Sequence, residues 1–212
     1  MKLIEMKVIE FINEVDSKAV TPGGGSVSAL ASSLGIALTR MVGHLSVGKK
    51  KFRALDEEIQ NKFKSIIESF EAMKIEMIDL IDKDTEAFNL IMAAFKLPKE
   101  TDEDKKRRSL KIEEGTLEAI KVPYRVAELS LEAMINLDYI LKYGNRNTLS
   151  DLGVSALLLK AGLEGAILNV KINIPGISNE EIRNHYLTKS QEILNQASRI
   201  KKVILDVVHN KL

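Results

Sequence analysis

The stretch TPGGGSVSAL, Thr21–Leu30, places three consecutive glycines between a proline and a run of small apolar residues. Three adjacent glycines lose much chain entropy on folding, so a fold seldom keeps them for packing alone. The small apolar residues continue to Val47, and Ser26 suits the N-cap of a helix over this segment. Because glycines at a helix start let a ligand approach free N–H groups, the stretch predicts an anion or oxyanion site. A flexible connection between two helices is the alternative.

Composition narrows the classes of protein that this chain can belong to. Its 212 residues are 45% hydrophobic, which favours one well-buried domain over residues 1–212. The net charge of +1 gives no sign of nucleic-acid or membrane-surface binding. Cysteine is absent, which excludes a cysteine nucleophile and a thiolate metal site and fits a cytoplasmic location. The N-terminal residues lack the unbroken apolar run of a signal peptide.

Apolar residues recur with the helical period along the whole chain, and no stretch alternates with period two. The pattern predicts an all-α bundle of about seven helices. Their expected ranges are about 3–16, 26–47, 53–94, 101–122, 123–141, 150–170 and 179–210. The third range contains neither Gly nor Pro and predicts one helix of about 40 residues, roughly 60 Å long.

Two of these helices, 26–47 and 151–170, are apolar nearly all round and rich in Gly, Ala and Ser. A helix that is apolar on every side is buried, and small side chains let neighbouring backbones approach closely. We therefore expect both at the centre, packed against each other or against a second subunit. This pattern predicts a dimer.

Three polar clusters lie near the ends of these two helices. GKKKF, Gly48–Phe52, follows the first helix. It is either a solvated helix end or a binding site for carboxylate groups. GNRNTLSD, Gly144–Asp151, precedes the second, with Ser150 or Thr148 as its N-cap. A turn and this N-cap explain Ser150 and Asp151 but not Asn145 and Asn147. NVKIN, Asn169–Asn173, closes the second helix, where asparagine is a common terminator.

Asp84 lies in line with the apolar stripe of the long helix. A carboxylate facing the core is costly unless it is paired or serves at a site, so Asp84 is a candidate general acid, with a buried ion pair as the alternative. Asp82 and Glu86 point elsewhere and should be solvated. The three histidines have no metal-ligand spacing, so we expect no metal site.

Taken in order, PGGGSVSAL, MVGHLSVGKKKF, DTEAF, VP at Val122–Pro123, GNRNTLSD and NVKIN resemble the cyclodeaminase family. That family includes the C-terminal domain of formiminotransferase-cyclodeaminases and stand-alone formiminotetrahydrofolate cyclodeaminases and methenyltetrahydrofolate cyclohydrolases. The resemblance covers most of the chain. It implies an all-α homodimer that converts 5-formiminotetrahydrofolate to 5,10-methenyltetrahydrofolate and ammonia.

The resemblance also implies roles for the matching residues. Asp84 and Asp151 would share the acid and base steps, in an order that the sequence leaves open. Reduced folate, polyglutamylated or not, would be bound by Gly23, Gly24, Gly25, Ser26, Lys49, Lys50, Lys51, Asn145, Asn147, Ser150, Asn169 and Asn173. Among these, the lysines would hold glutamate carboxylates. No cofactor is implied beyond the tetrahydrofolate substrate.

Three other interpretations stay open at this point. A methenyltetrahydrofolate cyclohydrolase would use nearly the same site with water in place of ammonia. A non-catalytic helical dimer with a degenerate folate site is a second interpretation. Membrane association through the two apolar helices is a third, disfavoured because Arg40, His44, Lys160 and Glu164 interrupt them.

Overall fold

The computed structural model describes residues 2–212, and within this range every regular element is a helix. The prediction of an all-α fold is confirmed. The α-helices are α1 Val8–Val15, α2 Gly24–Val47, α3 Lys50–Arg53, α4 Glu57–Phe95, α5 Asp102–Ile135, α6 Leu137–Tyr143, α7 Leu149–Asn173 and α8 Glu180–Lys211. Three short 3-10 helices lie at Leu3–Glu5, Arg146–Thr148 and Ile174–Gly176.

The predicted long helix is confirmed as α4, which has 39 residues and begins a few residues later than predicted, with Asp56 as its N-cap. The first predicted helix divides into the 3-10 turn Leu3–Glu5 and α1. The sequence predicts one apolar stripe for this helix, formed by Ile4, Val8, Phe11, Ile12 and Val15. Only Phe11 of these is buried, so α1 lies on the surface with most of its apolar residues exposed.

Pro123 does not begin a helix as predicted, since it lies inside α5. A proline in a helix leaves the carbonyl four residues earlier without its backbone donor. That carbonyl belongs to Ala119, and the Asn173 side-chain amide donates to it at 3.2 Å. The lost backbone bond is thereby replaced from α7, which allows α5 to continue.

Helices α2 and α7 pack against each other at close range through small residues. A side chain at Gly35 would come within 2.8 Å of Leu159, and one at Gly162 within 2.6 Å of the Ser28 carbonyl oxygen. The hydroxyls of Thr39 and Ser155 bond to each other across the contact at 2.6 Å. Small side chains with internally paired hydroxyls therefore bring the two backbones together.

The opposite sides of α2 and α7 are apolar and exposed. Both helices are long and apolar enough to cross a bilayer by length and composition, but 56% of the most apolar window of each is buried in the protein. The large apolar residues on the exposed side, which we call the α2/α7 face, are Val27, Leu34, Met41, Leu45, Val154, Leu157, Leu168 and Ile172.

Candidate functional site

The start of α2 holds the carboxylate of Asp84. The helix begins one residue after the N-cap Gly23, so Ser26 is its third residue and not the cap that the sequence predicted. The Ser26 N–H donates to Asp84 Oδ2 at 2.9 Å. The Ser26 hydroxyl lies 3.3 Å from the same oxygen and 2.8 Å from the Ile81 carbonyl oxygen. Ser26 is fully buried, so its donors serve Asp84 and α4, and a direct contact with substrate is not available to it.

The three glycines differ in the atoms that a Cβ at each position would meet. A Cβ at Gly25 would overlap the carboxylate of Asp84, and one at Gly24 would lie 3.1 Å from the Asn169 side-chain nitrogen. A Cβ at Gly23 would meet only the Val20 carbonyl oxygen, at an ordinary 3.7 Å. Close approach of two side chains therefore explains Gly24 and Gly25 but not Gly23.

Asp84 is half-buried and forms no ion pair within residues 2–212. Burial raises the pKa of its carboxyl group above the ordinary value, and the two contacts with Ser26 offset part of that rise. Oδ2 is held by Ser26, whereas Oδ1 accepts no hydrogen bond from the described residues. The arrangement leaves one oxygen of an anchored carboxyl group free to take up or release a proton.

The end of α7 completes this cluster. Asn169 lies beside Gly24, and its amide donates to the Gly165 carbonyl at 2.8 Å. The Asn173 amide donates to the Asn169 carbonyl at 2.9 Å as well as to α5. The structure thus brings together the predicted glycines, Asp84, Asn169 and Asn173. We call this group the Asp84 cluster.

A second group lies at the other end of α2. A cavity of about 640 Å³ there is lined by Lys49, Lys50, Lys51, Lys142, Arg146, Asn145, Asn147, Tyr143, Gly144, Ser46, Phe52 and Leu55. Five of these residues are cationic and none is acidic, and the five form no ion pair within residues 2–212. We call this cavity the lysine pocket. Its charge suits a ligand with carboxylate groups.

Some residues between Gly144 and Asp151 form hydrogen bonds within the protein, and others have no hydrogen-bond partner among the described residues. The Asn145 N–H donates to Ser46 Oγ at 2.8 Å, and its side-chain oxygen accepts from the Asn147 N–H at 3.1 Å. Asn145 therefore ties this loop to the end of α2. Ser150 is exposed and is not the N-cap of α7, which is Thr148. Asp151 is half-buried in the first turn of α7, and its carboxylate has no hydrogen-bond partner among the described residues.

The predicted site residues therefore form two groups and not one. Helix α2 has 24 residues, so its ends lie about 35 Å apart. The Asp84 cluster occupies the first end of α2 and the last turns of α7. The lysine pocket and Asp151 occupy the opposite ends of these helices. Asp84 and Asp151 of one chain are thus too far apart to act on one reacting carbon.

Sequence reasoning missed three residues near these groups. Asp82, expected in solvent, is buried, and its Oδ1 accepts the Leu3 N–H at 2.6 Å, which holds the N-terminal segment on α4. No periodic signal distinguishes it, because it lies off the apolar stripe. Lys142 and Arg146 line the lysine pocket from α6 and the following turn. Their proximity to Lys49–Lys51 depends on the tertiary fold.

Comparison with known proteins shows the family of the chain. The sequence profile of the family described as "Formiminotransferase-cyclodeaminase" matches residues 7–192. A methenyltetrahydrofolate cyclohydrolase of Methylorubrum extorquens is 34% identical over 202 residues, which are 95% of either chain. The formimidoyltransferase-cyclodeaminase of Rattus norvegicus is 32% identical over 96% of this chain, which spans only 37% of that longer protein.

The fold has a solved counterpart of nearly the same length. The crystal structure of a formiminotetrahydrofolate cyclodeaminase from Thermotoga maritima superposes with a TM-score of 0.85. The alignment covers 97% of both chains at 26% sequence identity. On the extent of the family match and of the identity to its members, the chain belongs to the formiminotransferase-cyclodeaminase family.

Proposed function

We propose that this enzyme of folate one-carbon metabolism converts 5-formiminotetrahydrofolate to 5,10-methenyltetrahydrofolate and ammonia. Members of its family carry cyclodeaminase or cyclohydrolase names, and both reactions act on the carbon between N5 and N10 of the folate. The stand-alone relatives have about the length of this chain.

The reaction needs one proton to move between two nitrogens. N10 attacks the carbon of the protonated formimino group on N5. The C–N10 bond forms, the π electrons of the C=N bond move to the formimino nitrogen, and the result is a tetrahedral centre carrying an amino group. N10 then loses its proton, and the amino group gains one before the C–N bond to it breaks and ammonia leaves. A single carboxyl group within reach of both nitrogens can take the first proton and deliver it to the second. The chemistry needs no redox or metal step, so we propose no cofactor beyond the folate substrate.

The observation that supports the proposal is the environment of the Asp84 carboxyl group. Its carboxyl group is anchored through Oδ2, its Oδ1 is free, and burial raises its pKa toward the range where proton transfer is efficient. Gly24 and Gly25 keep Cβ atoms away from this carboxyl group and from Asn169. Asn169 then lies beside the reacting centre, where an amide is suited to orient the formimino nitrogen or the pterin edge.

The lysine pocket is the proposed binding site for the glutamate part of folate. Lysine ammonium groups on flexible stems suit a tail of several carboxylates, which a polyglutamylated folate carries. Asn147 lines the same cavity and offers further hydrogen bonds. Asp151, a few residues on, is the second candidate for an acid–base role.

An absorbance assay on purified protein tests the activity, because methenyltetrahydrofolate absorbs in the near ultraviolet and its precursors do not. We expect the absorbance to grow after addition of 5-formiminotetrahydrofolate. Asp84→Asn should lower turnover by about 10²- to 10⁴-fold with substrate binding largely retained. The matched control is Glu86→Gln, since Glu86 is exposed on the same helix and has no described partner. Equal turnover in the two variants would contradict the role of Asp84.

Cyclohydrolase activity is the second candidate, because the Methylorubrum relative has that name and matches along 95% of its length. Methenyltetrahydrofolate added alone separates the two reactions. Loss of its absorbance faster than in buffer, without turnover of the formimino substrate, would make the enzyme a cyclohydrolase. No change in either cuvette would contradict both reactions and favour a non-catalytic helical protein.

We also propose that the enzyme is a cytoplasmic homodimer joined through the α2/α7 face. The eight large apolar side chains of this face are 36–76% exposed in one chain. Burying about half of each on two subunits would stabilise a dimer by about 12–24 kcal/mol, against an association cost of about 4–15 kcal/mol. Contiguous exposed apolar area on this scale is unusual for a monomer.

Light scattering after size exclusion measures the oligomeric state. Leu34 lies near the middle of α2, and Leu34→Glu should convert the dimer to a monomer because it would bury two carboxylates at the centre of the contact. Leu110 is the control, since it is 54% exposed on α5, against 51% for Leu34. A wild-type monomer, or a dimer that survives Leu34→Glu, would contradict this interface.

A further inference from the structure

An aromatic ring that lacks a place in the hydrophobic core follows Asp84 by one helical turn of α4. This residue is Phe88. Of the six phenylalanines, all within residues 2–212, four are buried in the main core and Phe95 is exposed. Phe88 is half-buried but belongs to none of the hydrophobic clusters of the described residues, and its ring pairs with no other aromatic ring among them. Core packing therefore does not explain Phe88.

Helix geometry places the ring of Phe88 beside Asp84. Side chains four residues apart lie on the same face of a helix, with their Cβ atoms about 5–6 Å apart. Helical side chains also lean toward the N-terminal end of their helix, so a long side chain covers the turn before its own Cα. For Phe88 that turn is the one that holds Asp84. The ring and the carboxyl group are thus neighbours on one surface of α4.

This surface of α4 extends past the start of α2. The two helices are antiparallel, because Gly43 packs against Ile67 and Ser26 bonds to Asp84. Ser26 is only two residues from the first residue of α2, whereas Phe88 is four residues beyond Asp84. Phe88 therefore lies above the end of α2, where α4 continues.

Helix α7 ends at the same level. Its last residue, Asn173, donates to the carbonyl of Ala119, and Ala119 packs against Ala87, the neighbour of Phe88 in the chain. Gly24, the first residue of α2, is exposed. The Asp84 cluster and Phe88 thus share an accessible region where α2 and α7 end and α4 and α5 continue.

The proposed substrate brings a flat ring to this region. N5 is an atom of the pterin ring, so the reacting carbon is one bond away from that ring. With a proton-transfer distance of about 2.6–3.2 Å and C–N bonds of about 1.3–1.5 Å, the ring comes within roughly 4–6 Å of the Asp84 carboxyl oxygen. Aromatic rings pack with their centroids about 4.5–7 Å apart, so a pterin at this place is within reach of Phe88.

A pterin needs two kinds of contact, since its edge is polar and its face is apolar. Asn169 and Asp84 offer polar atoms to the edge, but no member of the Asp84 cluster has a large apolar side chain. We infer that Phe88 binds the face of the pterin ring and is a substrate-binding residue of this enzyme. This inference rests on the proposed function and assigns to its site the residue that recognises the ring.

Removal of the ring from position 88 tests the inference. Phe88→Leu and Phe88→Met keep an apolar side chain without an aromatic face, whereas Phe88→Tyr keeps the ring. Phe95→Leu is the matched control, since Phe95 is an exposed phenylalanine of the same helix and lies about 16 Å beyond Asp84 along its axis. Urea unfolding followed by circular dichroism shows whether each variant is folded.

Kinetics separate a binding contact from a catalytic one. In Phe88→Leu and Phe88→Met we expect the KM for 5-formiminotetrahydrofolate to rise about 3- to 10-fold with kcat nearly unchanged, because the ring contact is the same in the ground state and the transition state. Phe88→Tyr and Phe95→Leu should keep the KM of the wild type. Asp84→Asn should show the opposite pattern, a loss of kcat with binding largely retained.

Two fragments of the substrate identify the ring that Phe88 binds. One is 6-methyltetrahydropterin, which has the pterin ring alone, and the other is p-aminobenzoylglutamate, which has the remainder. Titration calorimetry measures the binding of each to wild type and to Phe88→Leu. We expect the variant to bind the pterin fragment about 3- to 10-fold more weakly and the other fragment equally well.

Four outcomes would overturn the inference. They are an unchanged KM in Phe88→Leu, equal losses in Phe88→Leu and Phe88→Tyr, weaker binding of the aminobenzoyl fragment alone, and failure of both ring-free variants to fold, which would assign Phe88 to the core. Failure of the wild type to turn over either folate would instead contradict the proposed function, so the two failures are distinguishable.

Discussion

Replacing Gly25 by alanine tests why the chain has glycine at the start of α2. A Cβ at this position would overlap three atoms of the Asp84 carboxyl group, so that group would have to move. Overpacking of this kind costs about 1–3 kcal/mol. Loss of the Ser26–Asp84 hydrogen bonds adds about 1.5–3 kcal/mol, and the better helix propensity of alanine returns up to about 1 kcal/mol. We expect a net loss of about 2–5 kcal/mol.

Urea unfolding followed by circular dichroism measures this loss, and the absorbance assay measures turnover of the fraction that stays folded. Because Asp84 is displaced, turnover should fall by about 10²-fold or more even where the protein is folded. Gly23→Ala is the matched control, since its Cβ would meet only an atom at 3.7 Å, and its stability should change by about 0.5 kcal/mol or less. Gly24→Ala should lie between the two, because the Asn169 side chain can shift by a few tenths of an ångström.

A double-mutant cycle separates the clash from other effects of alanine at position 25. Asp84→Ala removes the three atoms that the new Cβ would overlap. In that background Gly25→Ala should cost less than about 0.5 kcal/mol, which gives a coupling of at least about 1.5 kcal/mol. The explanation would be refuted if Gly25→Ala and Gly23→Ala unfolded at the same urea concentration and turned over equally fast.

Three more measurements test the electrostatics and the packing. The pKa of Asp84 is raised by burial, so the native state keeps a proton that the unfolded chain releases. The stability of the wild type is therefore lost as the pH rises from about 3.8 through the raised pKa. The unfolding free energy of Asp84→Asn should increase relative to that of the wild type between about pH 4 and pH 7. Asn173→Ala should cost about 1–2 kcal/mol in urea unfolding, and less in a Pro123→Ala background, where a restored N–H bonds the same carbonyl. Lys50→Ala with Lys51→Ala should raise the KM for polyglutamylated substrate about 3- to 10-fold and that for monoglutamate less, and equal changes would contradict binding of the tail.

The helices and the residue types of the site are predictable from the sequence because both depend on local patterns. The apolar period marks every long helix, and the position of Asp84 on such a stripe indicates its inward direction. Its partner is harder to predict: instead of an ion pair, the structure shows the N–H and hydroxyl of Ser26. The N-cap prediction for Ser26 was wrong because Gly23 and Gly24 already allow the chain to enter the helix three residues earlier.

Features that depend on distant contacts could not be predicted in the same way. Pro123 is a helix-start signal by local rules, and only the amide of Asn173, 50 residues later, permits α5 to continue through it. The apolar stripe of α1 predicts a buried face, but among the described residues only Phe11 of that face is buried. The division of the site residues into two groups follows from the length and antiparallel packing of α2 and α7. Sequence order places the motifs along the chain and says nothing about which helix ends meet.

The proposed homodimer connects the oligomeric state with the choice between ammonia release and water addition. In one chain Asp84 is only half-buried, so water can reach its free oxygen. A partner that covers the α2/α7 face would exclude water, strengthen the electrostatic contacts and protect the methenyl product from hydrolysis. A cyclohydrolase needs the opposite, an ordered water within reach of the same carbon. We therefore expect the groups that the partner places over Asp84, more than Asp84 itself, to decide which of the two reactions this enzyme catalyses.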